Sequence, residues 1–213
     1  MTMPVSSSVA THSIDRAAFE NFYAGPTPWD IGKPQKPLVA VADQVTGSVL
    51  DAGCGTGDTA LFFAQRGCRV QGIDFVEEAI NRARRKAADR RMTATFLVKD
   101  ALTLKDWTER FDNVIDSGLF HVFSDEDRRR YVEGLATGLM PGGRLFLMCS
   151  SDEEPGNEGP RRVSRQELSD AFADGWEVES VQPVQGEVNP EFTAIKFSEG
   201  GPKAWFAVVR RQG

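Results

Sequence analysis

Three alternating glycines and a series of acidic residues are the features of this 213-residue sequence that could bind a ligand. In the stretch VLDAGCGTGD, Asp51 stands just before Gly53, Gly55 and Gly57. Glycines in a turn after a strand let the backbone approach a ligand closely, and the amides that begin the next helix attract an anionic group. Further acids stand at the ends of later apolar segments, at Asp74, Asp100 and Asp116.

The spacing of the glycines distinguishes between the classes of ligand that such a turn could bind. A dinucleotide-binding turn carries G-x-G-x-x-G, and the third glycine of that pattern would fall where this sequence has Asp58. A carboxylate at the start of the helix repels a pyrophosphate, which disfavours NAD, FAD and ATP. No G-K-S/T follows the turn, so a P-loop is excluded.

The acids instead favour a ligand with a zwitterionic end and a ribose. Asp51 can accept a hydrogen bond from an ammonium group, while the helix amides meet a carboxylate. Asp74 follows about 20 residues after the glycines, where an acid can bind both hydroxyls of a ribose. A pocket with these groups and no phosphate site fits S-adenosylmethionine among the common cofactors.

Alternating strands and helices position these residues. Apolar periodicity and turn residues predict an α/β fold with a parallel, doubly wound sheet. Two late strands lack a crossover helix between them, so we expect them to pair antiparallel at the sheet edge. The predicted strands are 48–52, 69–73, 94–98, 111–115, 144–149, 176–183 and 203–210, and the predicted helices are 14–23, 37–45, 58–66, 76–91, 125–139 and 164–172.

The N-terminal part differs in composition from the rest of the chain. Residues 1–13 are predicted to be a disordered lead, and residues 14–46 to form helices and a lid over the cofactor site. Residues 47–213 then form one domain. The acidic, Gly/Pro-rich stretch 151–160 is expected to flank the entrance for a second substrate.

Charge and composition restrict the partners. A net charge of −6 argues against a nucleic-acid surface, and the basic run 82–91 reads as a solvated helix face. No apolar run is long enough to cross a bilayer, and no secretory signal opens the chain, so we expect a cytoplasmic protein with no membrane partner. Cys54, Cys68 and Cys149 lack the spacing of a metal site, so no metal is expected.

The order of these motifs resembles that of the class I S-adenosylmethionine-dependent methyltransferases. VLDAGCGTGD is similar to their first motif, GIDF at 72–75 to the second, KDA at 99–101 to the third and FDNVID at 111–116 to the fourth. LMPGG at 139–143 is similar to the run before their fifth strand. The resemblance implies a Rossmann-like, doubly wound, seven-stranded sheet, mostly parallel with the last two strands reversed and with helices on both faces.

A narrower resemblance concerns the acceptor. TPWDIG at 27–32, followed by Pro34 and Gln35, is similar to the N-terminal segment of thiopurine, thiol and halide methyltransferases, and DSGLFH at 116–121 to bacterial benzoquinone or heterocyclic-toxin methyltransferases. This resemblance implies in-line transfer of a methyl group to O, N or S of a small aromatic or heterocyclic acceptor. It also implies that the N-terminal segment closes over the cofactor. The protein is expected to be a monomer or a homodimer.

Candidate site residues follow from the motifs together with this resemblance. His121 is a candidate base, because an imidazole of near-neutral pKa can take a proton from a hydroxyl, thiol or ring N–H. Asp116 is the second catalytic candidate, and it either faces the methionine end of the cofactor or orients the following loop. The predicted cofactor residues are Trp29, Asp51, Gly53, Cys54, Gly55, Gly57, Asp74, Phe75, Asp100, Ala101 and Asp116, with Cys54 acting through its backbone. The predicted acceptor contacts are Phe22, Tyr23, Trp29, Phe120 and His121.

Two other classes of protein stay open at the level of sequence. A non-catalytic S-adenosylmethionine-binding regulator would keep the same acids, because they report only that the cofactor binds. A NAD-dependent oxidoreductase is disfavoured by Asp58. Arg161 and Arg162 are either exposed loop charges or a grip for an anionic substrate group.

Overall fold

One seven-stranded sheet runs through the part of the chain that the computed structural model describes, residues 16–213. The strands are β1 (Ser48–Ala52), β2 (Arg69–Asp74), β3 (Thr95–Val98), β4 (Phe111–Ser117), β5 (Leu139–Ser150), β6 (Trp176–Gln185) and β7 (Lys203–Arg211). Their spatial order is β3-β2-β1-β4-β5-β7-β6. Strands β1 to β5 pair in parallel, whereas β7 pairs antiparallel with β5 and with β6. The predicted fold class, with the last two strands reversed, is confirmed.

Helices cover both faces of the sheet. They are α1 (Arg16–Phe22), α2 (Lys36–Ala40), α3 (Asp58–Gln65), α4 (Glu77–Asp89), α5 (Asp125–Gly138) and α6 (Arg165–Ala171). All five residues of β1 are buried, as is typical of a parallel strand covered on both sides. Val49 belongs to the core cluster under α2, α3 and α4, whereas Leu50 belongs to the cluster under α5 and α6. Among residues 16–213, no helix combines the length and the apolar character needed to cross a membrane.

Most predicted elements are present, with differences at their ends. Strand β5 begins at Leu139, five residues before its predicted start, because Leu139 pairs with Phe111 before a register shift. The helix predicted over 37–45 is divided into α2 and a 3-10 turn at Ala42–Gln44. The disordered lead predicted for residues 1–13, and the start of the helix predicted at residue 14, lie outside the described residues.

Strand register brings the acids of the motifs to one edge of the sheet. Asp51 pairs with Gly72 in β2 and with Ile115 in β4. Asp74, the last residue of β2, and Asp116, the next to last residue of β4, therefore lie at the same edge of the sheet on either side of Asp51. The chain leaves β1 toward β2 on one side and returns to β4 on the other. Ligands of open α/β sheets bind in the crevice at this change of direction.

Candidate active site

The glycine turn after β1 has a backbone conformation that side chains disfavour. Gly53, Gly55 and Gly57 have φ values of +69°, +53° and +84°. At Gly57, a Cβ atom would lie 2.8 Å from the Cβ of Ala83 and 2.9 Å from the ring of Phe96. Gly57 therefore also allows the start of α3 to pack closely against α4 and β3.

Asp51 supplies a buried carboxylate oxygen that no described residue satisfies. The residue is 2% exposed, and its Oδ2 atom has no hydrogen-bond partner among residues 16–213. Burial raises the pKa of Asp51 to about 7, against a lowering effect of the Ala60 amide. An unpaired carboxylate oxygen in the interior is costly unless a ligand supplies a donor. Asp51 therefore fits the ammonium group of an amino-acid ligand.

Asp74 joins the end of β2 to the glycine turn. Its Oδ2 atom accepts a hydrogen bond from the Gly55 amide at 3.0 Å, and its Oδ1 atom accepts one from the Val76 amide at 2.9 Å. Burial raises the pKa of Asp74 to about 6, and these amides lower it. Asp74 lines a cavity, and each carboxylate oxygen has a second lone pair that a ribose hydroxyl can use.

Cys54 contributes through its backbone. Its amide donates to the Ile73 carbonyl at 2.8 Å, which holds the turn against β2. The thiol is buried, and burial raises its pKa. A cofactor role for the Cys54 backbone stays a prediction, and Cys54 is not among the residues that line the cavity.

The ends of β2 and β3 form one wall of the cavity. Asp100, Ala101 and Phe75 all line it. The Oδ1 atom of Asp100 accepts a hydrogen bond from the Leu102 amide at 2.9 Å, which fixes the turn after β3. The ring of Phe75 contacts the ring of Phe19 at a centroid distance of 5.4 Å. This wall offers a carboxylate edge and an aromatic face.

An aromatic cluster from the N-terminal segment lies over the glycine turn. The rings of Phe22 and Trp29 are 5.3 Å apart, and the indole N–H of Trp29 donates to the Tyr23 hydroxyl at 3.1 Å. A Cβ atom at Gly55 would lie 3.1 Å from that hydroxyl. Phe22, Tyr23 and Trp29 all line the cavity, as expected of residues close to the cofactor and the acceptor.

Asp116 holds the loop after β4 and is not part of the cavity wall. It is fully buried and accepts hydrogen bonds from the Leu119 amide at 2.7 Å and from the Tyr131 hydroxyl at 3.0 Å. Burial raises the pKa of Asp116 to about 6, and the amide and hydroxyl donors lower it. Of the two predicted roles for Asp116, this geometry favours orientation of the loop.

His121 lines the cavity in a neutral form. Its Nδ1 atom accepts a hydrogen bond from the Ser150 amide at 2.9 Å, so the proton of the neutral ring is on Nε2. Burial, together with the nearby charges of Arg128 and Arg162, lowers the pKa of His121 to about 3. With one nitrogen occupied and the other protonated, the imidazole is suited to donate a hydrogen bond and poorly suited to act as a base.

Phe120 does not reach the cavity, contrary to the expected acceptor contact. The 3-10 turn Phe120–Val122 directs neighbouring side chains to different sides. Phe120 is fully buried, with its ring 5.8 Å from the ring of Phe172 and 4.4 Å from the Arg128 guanidinium carbon. His121 and Val122 line the cavity instead.

The connection between β6 and β7 forms a cavity wall that the sequence motifs did not indicate. The cavity has a volume of about 420 Å³. The connection contributes the apolar residues Val188, Phe192, Ile195 and Phe197 to its lining, and Met148 of β5 is a further apolar lining residue. The only sequence signal for this wall was a group of apolar residues in a stretch otherwise rich in glycine, proline and charge.

The acidic stretch 151–160 reaches the cavity through Gly159 and Pro160, as expected of a segment near the entrance. The two arginines that follow it already have protein partners, Arg161 on two helices and Arg162 within the stretch 151–160 itself. Arg161 pairs with Asp125 and Glu167, and Arg162 donates to the Pro160 carbonyl at 2.7 Å. These contacts favour a structural role for both arginines.

The sheet order and the site together define a class I methyltransferase. Residues 49–143 match the methyltransferase-domain family. The 2-heptyl-1-hydroxyquinolin-4(1H)-one methyltransferase of Mycobacteroides abscessus is 33% identical over 91% of this chain and 89% of its own length. The probable thiol methyltransferase 2 of Arabidopsis thaliana is 31% identical over 80% of this chain and 78% of its own.

A solved structure shares both the fold and part of the sequence. It comes from work on the conversion of a disulfide bond into a thioacetal group during echinomycin biosynthesis. It is 36% identical, with a TM-score of 0.79 and coverage of 91% of this chain and 90% of that chain. The chain belongs to the methyltransferase family: it is an S-adenosylmethionine-dependent enzyme that methylates small molecules.

Proposed function

We propose that this methyltransferase acts on a small aromatic or heterocyclic acceptor, at an oxygen, nitrogen or sulfur atom. The observation that carries the proposal is the apolar and aromatic lining that the cavity has in addition to the predicted cofactor residues, which includes Phe22, Met148, Phe192 and Phe197. Such walls bind planar rings through buried apolar area and ring contacts. The hydroxyquinolone named for the M. abscessus relative is a ligand of this kind.

The proposed cofactor roles follow the residues that line the cavity, among them Gly53, Asp74 and Asp100, together with Asp51, which precedes the glycine turn and is not itself part of the lining. Asp51 receives the ammonium end of the cofactor, Asp74 the ribose hydroxyls, and Asp100 with the Ala101 amide the adenine, beside the ring of Phe75. The glycine turn allows the backbone to approach, and the face of Trp29 attracts the sulfonium cation. When bound, S-adenosylmethionine supplies an electrophilic methyl group. The buried, unpaired Oδ2 atom of Asp51 supports this assignment.

The residues near the acceptor act by alignment and exclusion of water. Asp116 fixes the loop that carries His121, and His121 donates a hydrogen bond from Nε2 to a polar atom of the acceptor. Alignment of the acceptor in a dry cavity is the main contribution that such a site makes to a direct displacement. An acceptor that ionises near neutral pH needs no base from the protein.

A turnover screen combined with calorimetry tests this proposal. Phenols, N-hydroxyquinolones, thiols and halides are incubated with S-adenosylmethionine, and methylated product is measured by mass spectrometry. We expect micromolar binding of S-adenosylhomocysteine and turnover of planar ring acceptors. Turnover of halide or aliphatic thiols, with none of any ring compound, would contradict the acceptor class.

The predicted cytoplasmic location, the absence of a nucleic-acid or membrane partner, and the monomeric or homodimeric state stay predictions from the sequence. Size-exclusion chromatography with light scattering distinguishes the two oligomeric states.

A further inference from the structure

Gln35 joins the N-terminal segment to the wall between β6 and β7. Its Nε2 atom donates a hydrogen bond to the Glu187 carbonyl at 2.9 Å, and its Oε1 atom accepts one from the Glu187 amide at 2.8 Å. One side-chain amide thus pairs with both backbone groups of a residue 152 positions away. Two hydrogen bonds at fixed geometry restrain the orientation of both groups. Gln35 and Glu187 also line the cavity.

The residues around this contact strengthen the same junction. The ammonium group of Lys33 lies 2.8 Å from the Glu187 carboxylate. The Asn189 amide donates to the Pro28 carbonyl at 2.9 Å. The contacts between the N-terminal segment and the β6–β7 connection therefore extend from the loop that contains Trp29 to the start of that connection, which contributes apolar residues to the acceptor wall.

The N-terminal segment is also attached to the glycine turn. The Thr56 hydroxyl donates to Asp30 at 2.9 Å, and the ammonium group of Lys86 donates to the Thr56 hydroxyl at 2.6 Å. Lys86 pairs with Asp58 as well. Lys86 belongs to the basic run 82–91, which the sequence predicted to be a solvated helix face. Lys86 departs from that prediction because its ammonium group contacts Thr56 and Asp58. A continuous set of contacts leads from the cofactor turn through the N-terminal segment to the acceptor wall.

We propose that Gln35 is a positioning residue that couples cofactor binding to assembly of the acceptor pocket. Cofactor held at the glycine turn fixes the N-terminal segment, and Gln35 then fixes the connection between β6 and β7. The acceptor consequently binds tightly only to the cofactor-loaded protein, and by linkage the acceptor strengthens cofactor binding by the same factor. This inference depends on the proposed function only for the class of acceptor.

Hydrogen–deuterium exchange of the full chain, with and without S-adenosylhomocysteine, tests the coupling without any acceptor. In the wild type we expect S-adenosylhomocysteine to slow exchange in residues 16–35 and in residues 186–197. In Gln35→Ala we expect protection of 16–35 to remain and protection of 186–197 to fall about tenfold, because both hydrogen bonds to Glu187 are lost. Gln35→Glu keeps one acceptor and should give an intermediate result.

Gln185→Ala is the matched control. Gln185 donates to the Glu199 carbonyl at 2.8 Å within the same connection, but on an exposed side. We expect S-adenosylhomocysteine to protect residues 186–197 of Gln185→Ala from exchange as strongly as it does in the wild type. Two results would overturn the proposal. One is that S-adenosylhomocysteine does not protect residues 186–197 in the wild type, and the other is that Gln35→Ala and Gln185→Ala lose this protection equally.

Kinetics separate this inference from the proposed function. With any acceptor found in the screen, Gln35→Ala should raise the acceptor KM at saturating cofactor about tenfold, whereas the Kd of S-adenosylhomocysteine measured without acceptor should stay within about threefold of the wild type. An unchanged acceptor KM would overturn the coupling. If no ring compound is methylated while the exchange pattern is as expected, the acceptor class is wrong and the coupling by Gln35 stands.

Discussion

The carboxylate of Asp51 has opposite effects on two properties. Its ionised form lowers the stability of the cofactor-free protein, and it raises the affinity of the protein for the cofactor. Burial holds its pKa near 7, well above the usual range of an aspartic acid. Because the folded-state pKa exceeds the unfolded value, folding favours the protonated acid, and its ionisation destabilises the cofactor-free protein as pH rises from about 4 through 7. Asp74 and Asp116, with pKa values raised to about 6, act in the same direction.

Replacement of Asp51 should separate these two effects. Asp51→Asn removes the buried charge, so we expect the cofactor-free protein to unfold at an equal or higher temperature at pH 8, with a flatter dependence of Tm on pH between 5 and 8. Affinity for S-adenosylhomocysteine should fall roughly 10- to 100-fold, since a charge-assisted hydrogen bond is lost. Calorimetry and thermal unfolding measure the two quantities.

Asp112→Asn is the contrasting control for Asp51. Hydrogen bonds from the Ser48 amide and hydroxyl lower the pKa of Asp112, so its ionised form stabilises the fold. This variant should lose stability at pH 8 and keep its cofactor affinity. A lower stability of Asp51→Asn at pH 8 would show that the ionised carboxylate stabilises the cofactor-free fold, contrary to this prediction.

His121 gives a second prediction at the scale of the residue. Because its Nδ1 accepts the Ser150 amide and its pKa is lowered to about 3, His121→Gln should keep most of kcat, whereas His121→Ala should raise the acceptor KM about tenfold. The pH profile of kcat/KM should follow the ionisation of the acceptor in all three proteins. A step near pH 6 to 7 that disappears in His121→Ala would instead identify the imidazole as the base.

At the scale of the element, the turn between β1 and α3 depends on close packing as well as on backbone conformation. Gly57 and Gly67 stand at the two ends of α3, and both have positive φ, +84° and +89°. They differ in surroundings, because nothing lies within 4 Å of a Cβ atom placed at Gly67, whereas one at Gly57 would overlap Ala83 and Phe96. This pair separates conformational strain from steric exclusion.

Alanine substitution at the two glycines should therefore have unequal costs. Gly67→Ala should lower the free energy of unfolding by about 1 kcal/mol, the cost of a left-handed alanine. Gly57→Ala adds overpacking against α4 and β3, so we expect a loss of about 3 kcal/mol or more and weaker cofactor binding. Urea unfolding measures both values, and equal losses would contradict the packing role of Gly57.

At the scale of the whole molecule, the cavity is assembled from segments distant in sequence, so ligand binding should stabilise the fold globally. S-adenosylhomocysteine at 100 times its Kd adds about 2.7 kcal/mol to the free energy of unfolding. For a chain of this length that corresponds to a rise in Tm of roughly 5 to 10 °C. NADH at the same concentration should give no rise, because Asp58 stands where its pyrophosphate would bind. A rise in Tm with NADH would contradict the interpretation of the glycine turn.

Local patterns specified most of the elements and the cofactor side of the site. The alternation of apolar strands and helices, the glycine turn and the acids near the strand ends are short-range features, so the sequence alone could propose Asp51, Asp74 and Asp100 as cofactor residues. The start of the helix predicted over 164–172 is one such local feature, because Ser164 and Glu167 form a capping box there. Element ends were less predictable, as at β5, whose early start depends on pairing with Phe111 in another strand.

The acceptor side depended on tertiary structure. No local pattern indicates that Gln35 pairs with the backbone of Glu187, or that Phe192 and Phe197 close a cavity against the N-terminal segment. The direction of Phe120 into the core and the hydrogen bond that occupies His121 Nδ1 are likewise set by neighbours far along the chain. The sequence alone determined the fold class and the cofactor, because both can be inferred from residue types and spacings within short segments of the chain. The shape of the acceptor pocket was decided by packing between distant segments, which only the folded chain brings together.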